Sequence, residues 1–196
     1  MKRERSTSMI MNILNYAHYL LEGSIEKGET VIDATCGNGH DTLFLSRVVG
    51  STGQVLAFDI QQEAIDQTRQ TLLENNYTNV SLILDSHANV TSHLQTKDIE
   101  RVGGAIFNLG YLPQSDKQII TSGDSTVEAI ENILPVLKSK GLVVLVVYHG
   151  HEGGKDEMQT VLKYAMRLPQ RAYHVLQYGF INQQNDPPFI IAIQKR

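Results

Sequence analysis

The chain has 196 residues, of which 41% are hydrophobic and 19% are charged. That is enough for one substantial core with little left for a second, so we expect a single domain spanning residues 1–196. The formal net charge of -4 argues against binding nucleic acid through a broad basic surface, although a local basic patch is still allowed.

Features of export and membrane insertion are weak in this sequence. A lone cysteine, Cys36, excludes an internal disulfide framework and fits a reducing compartment. Residues 1–5 are basic like the start of a signal peptide, but Asn12 and Asn15 interrupt the apolar stretch that should follow. The longest apolar run, Leu142 to Tyr148, is far shorter than the roughly 18 residues that cross a bilayer. We expect a cytoplasmic protein with no membrane partner.

Hydrophobic periodicity predicts alternating helices and strands. Residues 9–22 place apolar side chains at helical spacing, which predicts a helix that covers the sheet. Further helices are predicted at about 40–49, 61–75, 123–139 and 156–167. Five short apolar runs indicate buried parallel strands: Thr30 to Thr35, Gln54 to Asp59, Val80 to Asp85, Gly104 to Asn108 and Leu142 to Tyr148.

The end of the chain has a different pattern. Tyr173 to Ile181 and Phe189 to Ile193 are strand-like, and residues 182–188 between them are too few for a crossover helix, so we expect an antiparallel hairpin. The prediction is an α/β fold with a Rossmann-like sheet of seven strands, mostly parallel, with helices on both faces. This is the arrangement of class I methyltransferases, whereas dinucleotide-binding dehydrogenases more often continue with parallel units.

The first predicted strand ends at Asp33 and leads into the loop Thr35-Cys-Gly-Asn-Gly39. Glycine has no Cβ and tolerates positive φ, so such a loop lets the backbone approach a ligand closely. The pattern resembles the methyltransferase motif in which an acidic residue precedes G-x-G-x-G, with Thr35 in place of the first glycine. By itself it indicates only a nucleotide-binding turn.

Two further strands also end in aspartate. The carboxylate of Asp59 can accept hydrogen bonds from two ribose hydroxyls, although an isolated Asp59 would more simply cap the next helix. Asp85, followed by Ser86 and His87, is placed to meet an adenine amino group. Because ligands of open parallel sheets bind beyond the carboxyl ends of the strands, the three carboxylates are predicted to converge on one nucleoside.

The charge of the loop distinguishes a dinucleotide cofactor from S-adenosylmethionine. The segment Gly37 to Thr42 lacks the third glycine of G-x-G-x-x-G, and Asp41 would repel a pyrophosphate. Asp33 and Asp41 instead favour the sulfonium and amino groups of S-adenosylmethionine, which is the predicted cofactor. Its predicted binding residues are Asp33, Thr35, Gly37, Asn38, Gly39, Asp41, Thr42, Asp59, Gln61, Asp85, Ser86 and His87.

The fourth strand ends in Asn108-Leu-Gly-Tyr111-Leu-Pro113, which keeps the N-x-x-Y spacing of the N-P-P-Y motif of amino methyltransferases without its prolines. Asn108 is predicted to accept a hydrogen bond from the target amine and aim it at the methyl group. Tyr111 is predicted to face the developing positive charge, and Pro113 to line the substrate site. The alternative is a turn cap at Asn108 and a packed Tyr111.

The fifth strand ends in Tyr148-His-Gly-His151 on a glycine-rich loop. His149 is predicted to act as general base, although water can serve instead, and Tyr148 and His151 are predicted to contact the substrate. A metal site needs at least three converging ligands, and the two histidines His149 and His151 supply only two. We therefore predict no metal.

Four segments together resemble one family: Asp33 to Thr42, Asn108 to Pro113, Tyr148 to Gly154 and Asn185 to Phe189. From about residue 9 onward the chain is similar to bacterial class I methyltransferases first labelled rRNA methylases and since linked to tRNA. The resemblance implies methylation of the exocyclic amine of 5-aminomethyl(-2-thio)uridine at the tRNA wobble position. The implied product is the 5-methylaminomethyl form, and the implied partner is the anticodon stem-loop.

Other interpretations remain open on the sequence alone. The basic residues between Lys138 and Arg171 can meet an anticodon stem, or they form an ordinary solvated face. A methyltransferase for rRNA or a small amine would share every cofactor residue. An NAD-dependent oxidoreductase and an RNA-binding module without catalysis are further alternatives. The sequence also leaves open a homodimer and the role of thiolation.

Overall fold

The computed structural model describes residues 9–98, 101–110 and 122–196. Within these ranges seven strands form one sheet in the order β3-β2-β1-β4-β5-β7-β6. The strands are β1 (Thr30–Asp33), β2 (Gln54–Asp59), β3 (Val80–Leu84), β4 (Val102–Leu109), β5 (Leu137–Val147), β6 (Tyr173–Gly179) and β7 (Phe189–Lys195). The α-helices are α1 (Ile13–Ser24), α2 (His40–Val49), α3 (Gln62–Glu74), α4 (Val90–His93), α5 (Gly123–Val136) and α6 (Gly154–Ala165).

The sheet is mixed in the way that the sequence predicts. Strands β1 to β5 pair in parallel, while β7 runs antiparallel to both β5 and β6. Buried side chains from α1, α2 and α3 fill one face and those from α4, α5 and α6 fill the other. Alternate residues of β4 serve the two layers: Ile106 packs with α1–α3, and Ala105 and Phe107 pack with α4–α6. The predicted class I methyltransferase fold is confirmed.

Two boundaries differ from the sequence prediction for identifiable reasons. Helix α1 begins at Ile13 rather than residue 9 because Asn12 caps it, its side-chain oxygen accepting the Asn15 N–H at 2.9 Å. Helix α5 ends at Val136 and β5 follows at once, whereas the periodicity predicts helix to residue 139. Pro135 lacks a backbone N–H and weakens the last turn, and Leu137 is buried at the start of the strand.

Strand order brings the predicted site residues to one edge of the sheet. Strand β1 lies between β2 and β4, so its carboxyl end is the point at which the strand order changes direction. Asp33 pairs with Ile106, and Asn108 pairs with Val146, one residue before the end of β5. Among the helices of the described ranges, none is both long and apolar enough to traverse a lipid bilayer.

Candidate active site

The loop after β1 is held open by two glycines with positive φ, 49° at Gly37 and 81° at Gly39. A Cβ on Gly39 would lie 3.0 Å from the Cα of Thr68 in α3, so the loop packs directly against that helix. The Cys36 N–H donates to the Phe58 carbonyl at 2.8 Å. These contacts fix a tight backbone turn at the start of α2, as the sequence predicts.

Asp33 is fully buried at the end of β1. Its carboxylate accepts the Thr42 hydroxyl at 2.6 Å and the Thr35 N–H at 3.2 Å. Burial, reinforced by the negative charge of Asp41, raises the pKa of Asp33 to about 7. A buried carboxyl with a pKa near neutrality is suited to a cationic ligand, because a nearby positive charge would restore its ionised form.

Thr35, the departure from the glycine motif, connects two strands. Its hydroxyl oxygen accepts the backbone N–H of Asn108 at 2.7 Å. A glycine could not make this bond. Thr35 therefore ties the cofactor-type loop to the end of β4, where the predicted catalytic asparagine lies.

Asp59 braces the same loop from β2. One carboxylate oxygen accepts the Gly37 N–H at 3.1 Å and the other accepts the Gln61 N–H at 3.0 Å. Burial raises the pKa of Asp59, while these backbone donors oppose the rise. Gln61 is the residue before α3 and makes no side-chain capping bond. Each carboxylate oxygen has a second lone pair, so the brace leaves acceptor capacity for a ligand.

Asp85 follows β3 and is partly solvent-accessible. Its carboxylate accepts from the Ser86 N–H at 2.7 Å, the Asn89 side chain at 2.8 Å and His93 Nε2 at 2.9 Å. The hydrogen bond from His93 is the main cause of a lowered Asp85 pKa. Ser86 turns its own hydroxyl oxygen to the Ala88 N–H at 3.2 Å. Asp85 thus stays ionised and able to accept one more donor.

His87 is the most enclosed of the predicted cofactor residues on this loop, with 8% of its surface exposed. Its Nδ1 lies 3.0 Å from the carbonyl oxygen of Ala34, so Nδ1 carries the proton and donates. Burial lowers the pKa of His87, and the ring packs edge-on to Phe107 with centroids 5.4 Å apart. Among the described residues, its Nε2 is buried without a hydrogen-bond partner.

Asn108 at the end of β4 meets Asp41 from the first turn of α2. The Asn108 side-chain Nδ2 donates to one Asp41 oxygen at 2.5 Å, and the other Asp41 oxygen lies 2.5 Å from His18 Nε2 in α1. Three elements therefore meet at one carboxylate. Tyr111 and Pro113, predicted to complete this corner, lie outside the described residues.

The loop after β5 supplies the remaining predicted residues. The Tyr148 N–H donates to the Leu109 carbonyl at 3.0 Å, and the residue is 37% exposed. Burial and, to a lesser extent, the charge of Asp41 raise the Tyr148 pKa. His151 lies with its ring nitrogens 2.9 Å from the carbonyls of Tyr148 and Glu152. This loop therefore borders the corner formed by Asn108 and Asp41.

His149 follows β5, and 13% of its side chain is exposed. Its ring contacts Phe189 with centroids 5.6 Å apart, and its Nδ1 lies 3.9 Å from an Asp186 carboxylate oxygen. That distance is too long for a hydrogen bond. His149 therefore lies between the end of β5 and the start of β7, and the charged group nearest to its Nδ1 in these contacts is the Asp186 carboxylate.

Comparison with known proteins identifies the family of this fold and site. Residues 55–194 match a family model described as "Putative rRNA methylase". A curated relative from Arabidopsis thaliana, a chloroplastic tRNA (mnm(5)s(2)U34)-methyltransferase, is 36% identical over 91% of this chain and 68% of its own length. The chain belongs to this methylase family.

Solved structures of similar proteins agree with that assignment. A crystal structure from Clostridium thermocellum, described as a "putative rRNA-methylase", is 37% identical, with a TM-score of 0.92, covering 96% of this chain and 100% of that one. A Streptococcus mutans methyltransferase in complex with SAH is 38% identical, with a TM-score of 0.87 and the same coverage. The resemblance found in the sequence motifs is therefore confirmed.

The methylase fold also separates residues that the sequence places close together. Lys138 and Lys140 lie at the start of β5, at the opposite sheet edge from the site, and Lys138 pairs with Glu29 at 2.6 Å. Lys155 lies at the site edge, 3.5 Å from Asp186. Lys155 therefore does not share a surface with Lys138 and Lys140. The described residues also contain no group of three or more His, Cys, Asp or Glu that could hold a metal ion.

Two residues that the motif search did not select contribute to the site. His18 and His93 each contact a predicted carboxylate, Asp41 and Asp85 respectively. His93 could have been suspected because it lies only eight residues after Asp85 in the sequence. His18 carries no such signal, because its partner is 23 residues away and only helix packing brings the two together.

Proposed function

We propose that this protein is an S-adenosylmethionine-dependent methyltransferase of tRNA. Its substrate is the exocyclic amine of 5-aminomethyl(-2-thio)uridine at the wobble position, and its product is the 5-methylaminomethyl form. The observation that carries the proposal is the Asn108 amide, held by Asp41 beside the cofactor-type loop. The 36% identity over 91% of the chain to a wobble-uridine methyltransferase supports the substrate.

The residues around the β1 loop fit the proposed cofactor. Buried Asp33 and nearby Asp41 would meet the positive charges of the methionine moiety, and the turn from Thr35 to Gly39, with Thr42, would form its seat. Asp59 and Gln61 would hold the ribose, while Asp85, Ser86 and His87 would surround the adenine. The cofactor supplies an electrophilic methyl group. The side chains of the protein then need only to bind and orient the cofactor and the target amine and to exclude water from them.

The catalytic part of the proposal is positional. The Asn108 amide nitrogen faces Asp41, so its oxygen is the end that would accept a hydrogen bond from the target amine and aim the nitrogen lone pair. Tyr148 would form a wall beside it, together with His151, Pro113 and Tyr111. The amine must lose a proton before it attacks, and His149 or water would accept that proton.

An anticodon stem-loop fits the proposed chemistry because its wobble base can be splayed into a pocket without opening a duplex. We infer a cytoplasmic location for this chain, although the Arabidopsis relative is named as chloroplastic. A homodimer is proposed as its assembly, and light scattering of the purified protein would test it. A monomer at micromolar concentration would contradict that assembly without affecting the proposed reaction.

Nucleoside mass spectrometry of tRNA from a deletion strain tests the proposed function. We expect 5-methylaminomethyl(-2-thio)uridine to disappear and its 5-aminomethyl precursor to accumulate. Purified protein with labelled S-adenosylmethionine should transfer label to tRNA that carries the precursor and not to rRNA. Unchanged nucleoside levels, or transfer to rRNA alone, would contradict the proposal and favour the activity that the family description names.

A further inference from the structure

The Asp41 carboxylate is held from two sides by different layers of the fold. One oxygen accepts the Asn108 amide from β4, and the other lies 2.5 Å from His18 Nε2 in α1. Only 12% of the Asp41 side chain is exposed. A carboxylate held by one partner can still rotate about its last bond, whereas two partners on opposite oxygens fix its plane.

The plane of Asp41 determines which end of the Asn108 amide faces the substrate. A carboxylate can only accept hydrogen bonds, so the Asn108 nitrogen must face it and the amide oxygen must face the other way. If Asp41 turned, the amide could rotate and present its nitrogen to the site. An amide N–H cannot accept a hydrogen bond from an amine.

His18 is itself rigidly placed. Its ring stacks on Phe44, with centroids 3.8 Å apart and planes 4° apart. Phe44 lies one turn after Asp41 on α2 and is buried. On the neighbouring face of α1, Ala17 and Leu21 are fully buried in the core. Helix α1 therefore holds the His18 imidazole in a fixed position against α2. A helix that only covered the sheet would not need this polar contact.

We propose that His18 is a positioning residue for methyl transfer. It acts through Asp41 to keep the Asn108 amide oxygen facing the acceptor amine. This inference rests on the proposed function, because it assigns a role within that reaction. It extends the active site to α1, an element outside the βα units that carry the sequence motifs.

Replacing His18 with three different side chains separates hydrogen bonding from packing. His18→Phe keeps a flat ring for stacking on Phe44 but has no donor, and His18→Met is a second apolar variant with a flexible side chain. His18→Gln places an amide nitrogen at about the height of Nε2 and retains the donor. Each variant is assayed with S-adenosylmethionine and tRNA bearing 5-aminomethyl-2-thiouridine, with melting temperature and calorimetric cofactor affinity measured in parallel.

We expect His18→Phe and His18→Met to lower kcat roughly 10- to 100-fold, the size of loss that small misplacements of a catalytic group cause. Their KM for tRNA should stay within about threefold of the wild type, because a purely positional loss appears in kcat. His18→Gln should recover most of the rate. In an Asp41→Ala background, His18→Phe should have no further effect, since its target is gone.

Three results would overturn the role of His18: wild-type kcat in the two apolar variants, equal loss in His18→Gln, or additive losses with Asp41→Ala. Failure of the proposed function is distinguishable, because the wild-type protein would then transfer no methyl group to the modified tRNA. Wild-type transfer with an unaffected His18→Phe variant would contradict only the inference about His18.

Discussion

Asp33→Asn tests whether the buried Asp33 carboxylate at the end of β1 lowers the stability of the cofactor-free protein. Such a cost is expected if the carboxylate is there to bind a cationic ligand. Asparagine has the same shape, and it fits the two existing partners. Its oxygen accepts the Thr35 N–H, and its nitrogen donates to the Thr42 hydroxyl, which can rotate to accept. The substitution therefore removes the buried negative charge and keeps hydrogen bonds to Thr35 and Thr42.

The magnitude follows from the pKa of Asp33, which burial raises from 3.8 to about 7. The folded state then binds a proton more tightly than the unfolded state. The stability from this group is present below the unfolded pKa and is lost as pH rises through 7. A pKa rise of this size corresponds to a total change of about 4 kcal/mol in the free energy of unfolding. About 3 kcal/mol of this stability is lost between pH 5 and pH 8.

Urea unfolding of the cofactor-free proteins at pH 5 and pH 8 measures this effect. We expect the unfolding free energy of Asp33→Asn, relative to the wild type, to rise by about 3 kcal/mol between the two pH values. Asp66→Asn, at an exposed position on α3, is the control and should show little change. The reasoning is refuted if Asp33→Asn behaves like the control. The same variant should bind S-adenosylmethionine more weakly, because the anionic partner is gone.

Three further substitutions test the site. Thr35→Val leaves the part-buried Asn108 N–H without its acceptor and should cost about 1–3 kcal/mol in urea unfolding. Thr35→Ser should restore the stability, and equal losses in the two variants would contradict this explanation. Gly39→Ala forces a side chain into a left-handed conformation and toward α3, so its melting temperature should fall, whereas Gly23→Ala, in open space, should not lower it. Asp59→Ala should weaken calorimetric cofactor binding by about 10- to 100-fold, and unchanged affinity would exclude a ribose contact.

The sequence predicts the sheet and the edge at which its strands end, because both depend on local patterns. Short apolar runs that end in Asp33, Asp59 and Asp85 identify three strands and the edge at which they end. Parallel strands place their carboxyl ends together, so convergence of the three follows from topology alone. Boundaries fail where a single residue overrides periodicity, as at Asn12 and Pro135.

The contacts that other site residues make across the fold could not be predicted in the same way. The sequence treats Thr35 as a departure from a glycine motif, and only the pairing of β1 with β4 shows that its hydroxyl binds the Asn108 backbone. The two histidines of the fifth-strand loop are only two positions apart in sequence, yet His149 lies against the last hairpin while His151 bonds to its own loop.

By itself, the sequence determined the fold class, the cofactor type and the strand ends on which chemistry is expected, because hydrophobic periodicity and glycine placement are properties of short segments. Only the tertiary structure decided how the site is connected. Asp41 lies between His18 and Asn108 because α1 and β4 pack on either side of the start of α2. Contacts between residues 23 and 67 positions apart depend on layer packing, which no local pattern records.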